Sequence, residues 1–245
     1  MIIYTALQKG EHHPDYCEDY YFVGEPGNDT VLCAVMDGCT MATDSYFAST
    51  LVGKLLRKIA KEKSYKALYG LETYATLESQ LKDILAELFK ELNLVENQLM
   101  LDKTELLTTL IIMLIDKKAE EGIILAIGDG VVSVNGKVTE FDHNNIPDYI
   151  GYHLHEDFEE WYEAQKQKIY FHQIKDISLS TDGIFTFMPT TKNISTEHIN
   201  PVDFMLFDKM QMQNSKMLNW QLKHLELDHG LKPADDFAMV RVIAG

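Results

Sequence analysis

Several short stretches place acidic side chains at the ends of apolar runs. CAVMDG sets Asp37 and Gly38, LAIGDG sets Asp129 and Gly130, and LSTDGIF sets Asp182 and Gly183. PADDFAMV puts Asp235 and Asp236 just before such a run, and YCEDYYF does the same with Glu18 and Asp19. Strand ends converge at sheet edges, so carboxylates there can build an oxygen-rich cage for hard or borderline divalent cations. Each motif alone has a plainer reading: Asp-Gly is a leading turn signal, and Asp129-Gly130 by itself reads as an ordinary hairpin turn. Recurrence weakens that reading, because carboxylates gathered in one place repel unless cations bind them.

The elements that must position these residues follow from periodicity. MIIYTAL, DYYFVGE and TVLCAVMD read as strands, with PGND as a turn between the last two, predicting an antiparallel hairpin. Tyr46, Phe47, Leu51, Leu55, Leu56 and Ile59 recur at helical spacing behind a Thr-Asp-Ser capping signal from Thr43. Residues 71–101 carry a second helical stripe through Leu77, Leu81, Ile84, Leu85, Leu88, Leu92, Val95 and Leu99, whose ordinary role is core packing. ELLTTLIIMLID and GIILAIGDGVVSVNGKVTEF, rich in Ile, Val and Thr, read together as a meander. Residues 142–172 are expected to form a flap-like insertion over the surface, with a short helix around Phe158, Trp161 and Tyr162. Helices near 200–210 and 215–228 precede a closing strand in DDFAMVRVIA. Strands with helices in two groups, without βαβ alternation, predict an α+β fold of antiparallel sheets covered by helices.

Composition narrows the function. The 245 residues suffice for one large domain and contain no linker-like stretch, so a single domain over 1–245 is expected. A net charge of -16 argues against nucleic acid and anionic lipid as partners. Arg57 and Arg241 are the only arginines, so bidentate phosphate forks are scarce. Cys17, Cys33 and Cys39 have neither disulfide-framework nor zinc-knuckle spacing, which fits a reducing cytoplasm. MIIYTALQKG lacks a signal-peptide pattern, and LLTTLIIMLI is too short to span a bilayer as a helix, so a soluble intracellular protein is expected.

Taken in order, Glu18-Asp19, MDG at 36–38, TTL at 108–110, GDG at 128–130, STDGI at 180–184 and ADDFAMV at 234–240 resemble the motifs of the metal-dependent protein phosphatases of type 2C. The resemblance runs over almost the whole chain. It implies a central β-sandwich of two antiparallel sheets flanked by helix pairs, a four-layer α/β/β/α arrangement. It also implies two Mn²⁺ or Mg²⁺ ions at one end, hydrolysing phosphoserine or phosphothreonine in a protein substrate through a metal-bridging water. By position, Asp37 resembles the bridging carboxylate, Gly38 would offer its carbonyl, and Asp182 and Asp235 resemble the remaining direct ligands. Glu18 would act through a water, Asp19 would brace the ligands from behind, and Asp129 stands where bacterial members bind a third, weaker ion. Gly183 would let the chain turn sharply beside Asp182.

The sequence also departs from that pattern. Pro14 stands where family members commonly carry a phosphate-gripping arginine; His12 and His13 are candidates for phosphate binding or acid catalysis in its place, with Lys9 a further option. A solvated loop histidine is the plainer reading of either. The family's GDSR-like motif is GDGV, and Cys39 follows where some members have a histidine proposed as general acid. Beside cations its thiol would be open to oxidation; its plainer role is a small packed residue. His143, His153, His155 and His172 match no zinc spacing. A phosphatase-like binding protein and a phosphatase of small metabolites are the competing readings.

Overall fold

The computed structural model describes residues 1–245 apart from 14, 43, 72, 143–147, 191–198 and 245. Its centre is a pair of antiparallel five-stranded sheets. One contains, in spatial order, β1 (Ile2–Gln8), β12 (Phe237–Ile243), β9 (Asp176–Ser180), β6 (Gly130–Val134) and β7 (Lys137–Phe141). The other runs β2 (Tyr20–Gly24), β3 (Thr30–Met36), β4 (Leu110–Asp116), β5 (Glu121–Ile127) and β8 (Lys168–His172). A small ribbon pairs β10 (Phe187–Pro189) with β11 (Leu231–Pro233).

Alternation along the strands separates three apolar layers. On β3 and β4, Val31, Cys33, Val35, Ile111, Met113 and Ile115 face the opposite sheet, where Ile177, Leu179, Ala238, Val240 and Val242 meet them. The intervening Leu32, Ala34, Met36, Leu110, Ile112 and Leu114 face outward against α1 (Phe47–Leu68) and α2 (Leu77–Leu99). Strands buried on both faces therefore read as unbroken apolar runs. On the far side, Tyr4, Ala6, Phe237 and Met239 pack under α4 (Pro201–Phe207) and α5 (Met217–Asp228). The four-layer arrangement and α+β class expected from the sequence are thus present.

Some local expectations change. Helix α1 starts at Phe47 with no side-chain cap; the Asp44 carbonyl accepts the Phe47 N–H at 2.9 Å, and Thr43 lies outside the described residues. Helix α2 instead carries a reciprocal capping box between Thr76 and Ser79. The expected meander is split between the sheets, because β5 and β6 belong to different ones. Gly128-Asp129-Gly130 is therefore a crossover between sheets rather than a hairpin turn, with φ of 90° at Gly128 and 133° at Gly130. The true hairpin is Asn135-Gly136, at φ of 53° and 90°, joining β6 to β7.

Much of residues 142–172 is built into the sandwich rather than laid over it. Ile150, Leu154, Trp161 and Tyr162 are buried in the core under α2, and β8 extends the sheet beyond β5. The aromatic residues of α3 (Phe158–Ala164) explain this, with Trp161 at 4.5 Å from the Phe89 ring. Among the described residues, no helix is long and apolar enough to cross a membrane.

Candidate metal and phosphate site

Asp37 follows the last residue of β3, and two threonines fix its backbone. Thr108 Oγ1 donates to the Asp37 carbonyl at 2.6 Å, the Thr109 N–H donates to the same carbonyl at 2.9 Å, and Thr109 Oγ1 accepts the Asp37 N–H at 3.1 Å. Gly38 follows in a close approach: a Cβ there would sit 2.2 Å from the Ser45 carbonyl and 2.8 Å from that of Glu18. Only glycine fits, which leaves its own backbone at the site.

Glu18 and Asp19 lead into β2 and are buried. The Glu18 carbonyl accepts the Gly38 N–H at 3.2 Å and the Ser49 hydroxyl, while Thr40 Oγ1 donates to Glu18 Oε2 at 2.9 Å. Asp19 Oδ2 accepts a hydrogen bond from Thr181 Oγ1 at 2.7 Å, and its carboxyl is hydrogen-bonded to that of Asp37. Asp19 thus stands behind Asp37 and ties it to the strand end that carries Asp182.

Asp182 begins the single helical turn after β9. The next residue, Gly183, is not in a left-handed conformation; a Cβ there would meet the Asp236 carbonyl at 1.8 Å. Its glycine is required by close packing, not by the sharp turn expected from the sequence. This packing joins the loop of Asp182 to that of Asp235 and Asp236.

Burial and crowding raise the proton affinity of these carboxyls. Burial pushes Asp182 up to about 6, helped by the charges of Asp129 and Asp235. Burial likewise raises Asp37 well above its ordinary value, with Asp19, Asp182 and Asp235 adding to it. Asp19 is raised mainly by burial, against hydrogen bonds from Thr181 and Asp37 that favour its charge. Asp37 thus feels the charges of Asp182 and Asp235, and Asp182 those of Asp129 and Asp235, which brings the four strand-end carboxyls to one region.

His13 enters the same region. Its Nδ1 is 2.7 Å from Asp236 Oδ2, and its Nε2 is 3.3 Å from Asp235 Oδ1. Burial alone would lower its pKa, but the hydrogen bond and charge of Asp236, with the charges of Glu18 and Asp235, raise it. With Glu18, Thr40, Ser45 and Tyr46 it lines a cleft of about 270 Å³; His12, at the same cleft, is exposed. Pro14 lies outside the described residues.

Carboxylate oxygens plus a glycine carbonyl form a donor set suited to Mg²⁺ or Mn²⁺. Among the described residues, no three His, Cys, Asp or Glu side chains close to metal-holding distance. The fit therefore rests on donor chemistry and on the mutual field of the carboxyls. The other histidines are dispersed: His153 lies between Asp148 and Glu156, His155 meets Glu96 and His172 faces Glu121. His143 lies outside the described residues. Cys39 is buried against Leu107 and Tyr149, in keeping with a packed residue.

Four contributors carry no assignment from the sequence. Asp236 is buried, and its Oδ1 accepts the Gly10 N–H at 2.6 Å while Oδ2 accepts the Glu18 N–H. Thr108 and Thr109 form the clamp on Asp37, and their Thr-Thr-Leu run was the available signal. Thr181 accepts the Ala238 N–H at 2.9 Å while supporting Asp19.

A family model described as Protein phosphatase 2C matches residues 7–224. No curated protein matches the chain by sequence. Among solved structures, a bacterial serine phosphatase bearing a point mutation is similar with a TM-score of 0.64 and 16% identity, over 100% of this chain and 99% of that one. The S. agalactiae serine/threonine phosphatase gives 0.59 at 13% identity, covering 99% of both chains. The catalytic domain of the serine threonine protein phosphatase PstP, solved with 2 manganese ions, gives 0.58 at 14% identity over 98% of this chain and 96% of that one. At these identities the structural likeness is one of fold.

Proposed function

From the premise that the chain belongs to the protein phosphatase 2C family, we propose a residue-level assignment of its site. The protein is a phosphoprotein phosphatase of a metal-dependent serine/threonine family. In our reading the whole chain, 1–245, acts as one domain, and its substrate is a phosphoserine or phosphothreonine protein. Asp37, the Gly38 carbonyl, Asp182 and Asp235 would hold two Mn²⁺ or Mg²⁺ ions directly, with Glu18 acting through water and Asp129 at a third ion. The observation that carries this is the burial of Asp37 and Asp182 beside one another, with the charge of Asp235 acting on both and that of Asp129 on Asp182, which raises the proton affinity of the pair.

When bound, divalent cations would neutralise charge on the phosphoryl group and make water a stronger nucleophile at neutral pH. The protein's own residues supply order. Thr108 and Thr109 hold the Asp37 backbone, Asp19 braces its carboxyl, and the Gly183–Asp236 contact keeps Asp182 beside Asp235. His13, held at Nδ1 by Asp236 and lining the cleft, would contact an incoming phosphoryl oxygen, with His12 lining the same cleft. Free Cys17, Cys33 and Cys39 support a cytoplasmic location, and the net charge of -16 argues against nucleic-acid and membrane partners.

The test is nitrophenol release from para-nitrophenyl phosphate with Mn²⁺, with chelator, and in Asp37→Asn and Asp182→Asn beside wild type. Metal-dependent turnover that falls by about a hundredfold or more in both variants is expected. Wild-type turnover in both variants would overturn the assignment. A panel of phosphopeptides and phosphorylated metabolites then decides the substrate class.

A further inference from the structure

We propose that the groove between α1 and the outer edge of β2 docks an extended, acidic segment of a partner polypeptide. Three observations converge on it. First, β2 is the terminal strand of its sheet, so one edge of its backbone has no strand partner among the described residues. Such an edge is a template for an added strand.

Second, a cavity of about 610 Å³ lies along that edge, bounded by Phe22, Val23 and Gly24 on one side and by Arg57, Lys61 and Tyr65 on the other. Small side chains of α1, Ala60 and Ser64, form part of its wall. Tyr65 is 66% exposed and offers an aromatic face to an apolar side chain. The helix and strand run alongside one another: Tyr20 meets Gly53 and Arg57, while Phe22 to Gly24 share the cavity with residues 57–65.

Third, the charge is inverted relative to the rest of the molecule. Helix α1 carries Lys54, Arg57, Lys58, Lys61, Lys63 and Lys66 against Glu62 alone, in a chain of net charge -16. Lys58 is paired with Glu62 and Glu91, and Lys63 is buried against Asp83 and Glu87. Exposed Lys54, Arg57 and Lys61 make no ion pair with a carboxylate among the described residues; Arg57 donates only to the Tyr20 hydroxyl at 3.3 Å. The single acid at the cavity, Glu25, is paired with Lys117 at 3.0 Å.

Geometry selects the occupant. Arg57 and Lys61 are one helical turn apart, about 6 Å, and alternate side chains of an extended chain are about 6.6 Å apart. A segment with acids at alternate positions can therefore face both cations while its backbone completes the edge of β2. The overall negative charge disfavours long polyanions such as nucleic acid. The groove begins three residues past Asp19, roughly 10 Å along the strand, so it is separate from the acidic cluster.

The experiment measures fluorescence anisotropy of labelled ten-residue peptides on the full chain. One peptide alternates Glu with Thr, a second replaces Glu by Gln, and a third is the first with alternate backbone nitrogens methylated. The Glu peptide is expected to bind, more weakly as salt rises. Binding should fall at least tenfold for each altered peptide and for the Arg57→Glu/Lys61→Glu double variant, and stay unchanged in Lys118→Glu. Absence of binding, or equal binding by the Gln peptide, the methylated peptide or the double variant, would overturn the proposal. None of these readouts depends on phosphatase activity, so the result stands apart from the assignment of the metal site.

Discussion

His13 Nδ1 lies 2.7 Å from Asp236 Oδ2, the same oxygen that accepts the backbone N–H of Glu18. One buried carboxylate thus holds a histidine and an acidic residue of the N-terminal loop in a fixed relation, while its other oxygen holds the Gly10 N–H at 2.6 Å. Asp236→Asn keeps the shape but turns one acceptor into a donor facing donors. A loss of about 1–3 kcal/mol in stability is expected from denaturant titration. His13 should also titrate at lower pH by NMR, and turnover should fall at least tenfold. An unchanged His13 titration would show that Asp236 does not govern that ring.

Asp182 has the opposite sign from a salt-bridged aspartate. Its folded pKa, about 6, lies above the ordinary aspartate value of 3.8, so the folded state binds the proton more tightly than the unfolded chain. Stability of the metal-free protein should therefore fall as pH rises from about 4 through about 6. At pH 7 in chelator, Asp182→Asn should melt at a higher temperature than wild type, by an equivalent of roughly 3 kcal/mol. Added Mn²⁺ should raise the melting temperature of wild type and not of the variant. A variant less stable than wild type in chelator would mean that Asp182 is held by contacts that favour its charge.

Gly183→Ala tests the packing that joins two acidic loops. Its Cβ would stand 1.8 Å from the Asp236 carbonyl and 2.8 Å from the carbonyl carbon, both backbone atoms that cannot rotate away. Destabilisation of about 2 kcal/mol or more is expected, with loss of turnover because Asp182 and Asp235 are driven apart. A crystal structure of the variant with both loops in place would refute the steric argument.

How much of this was legible in the sequence depended on what kind of signal each residue leaves. Asp37, Asp129, Asp182 and Asp235 were readable because each sits at the end of an apolar run, and their order along the chain carried the family resemblance. The role of Asp236 leaves no such signal, since a carboxylate that accepts backbone N–H groups has no spacing of its own. The hairpin reading of Asp129-Gly130 failed because Asp-Gly marks a reversal without saying which sheet the next strand joins. The burial of Trp161 and Tyr162 was hidden by the acidic residues around them, although a tryptophan beside a tyrosine in a short helix is itself a core signal.

Arg241 shows the same limit on the far side of the sandwich. Its side chain is fully buried, with Nε and Nη2 donating to the two Asp176 oxygens at 2.9 and 2.8 Å, and Nη1 donating to the Met205 and Asp208 carbonyls at the end of α4. Arg241→Ala should cost about 3–5 kcal/mol in urea denaturation, because it removes the two-pronged partner of Asp176, leaving that carboxylate only Lys209 at 3.1 Å, and takes the Arg241 donor from the Met205 carbonyl. Arg241→Met with Asp176→Leu should recover most of that loss. A double variant as unstable as the single one would locate the cost in the α4 carbonyls instead.

His153 supplies a pH dependence remote from the acidic cluster. Its Nε2 lies 2.7 Å from Asp148 and its Nδ1 2.8 Å from Glu156. The hydrogen bond to Asp148 raises its pKa most; burial opposes this, and Glu156 adds to the rise. A histidine with a raised folded pKa contributes stability that is full below its unfolded value of about 6.5 and lost as pH rises through the folded value. Unfolding free energy should accordingly drop by about 1 kcal/mol across that window, and His153→Gln should flatten the drop. The drop should also shrink in Asp148→Asn, since removing the nearer carboxylate lowers the folded pKa toward the unfolded one. An Asp148→Asn profile that follows wild type would assign the titration to another group.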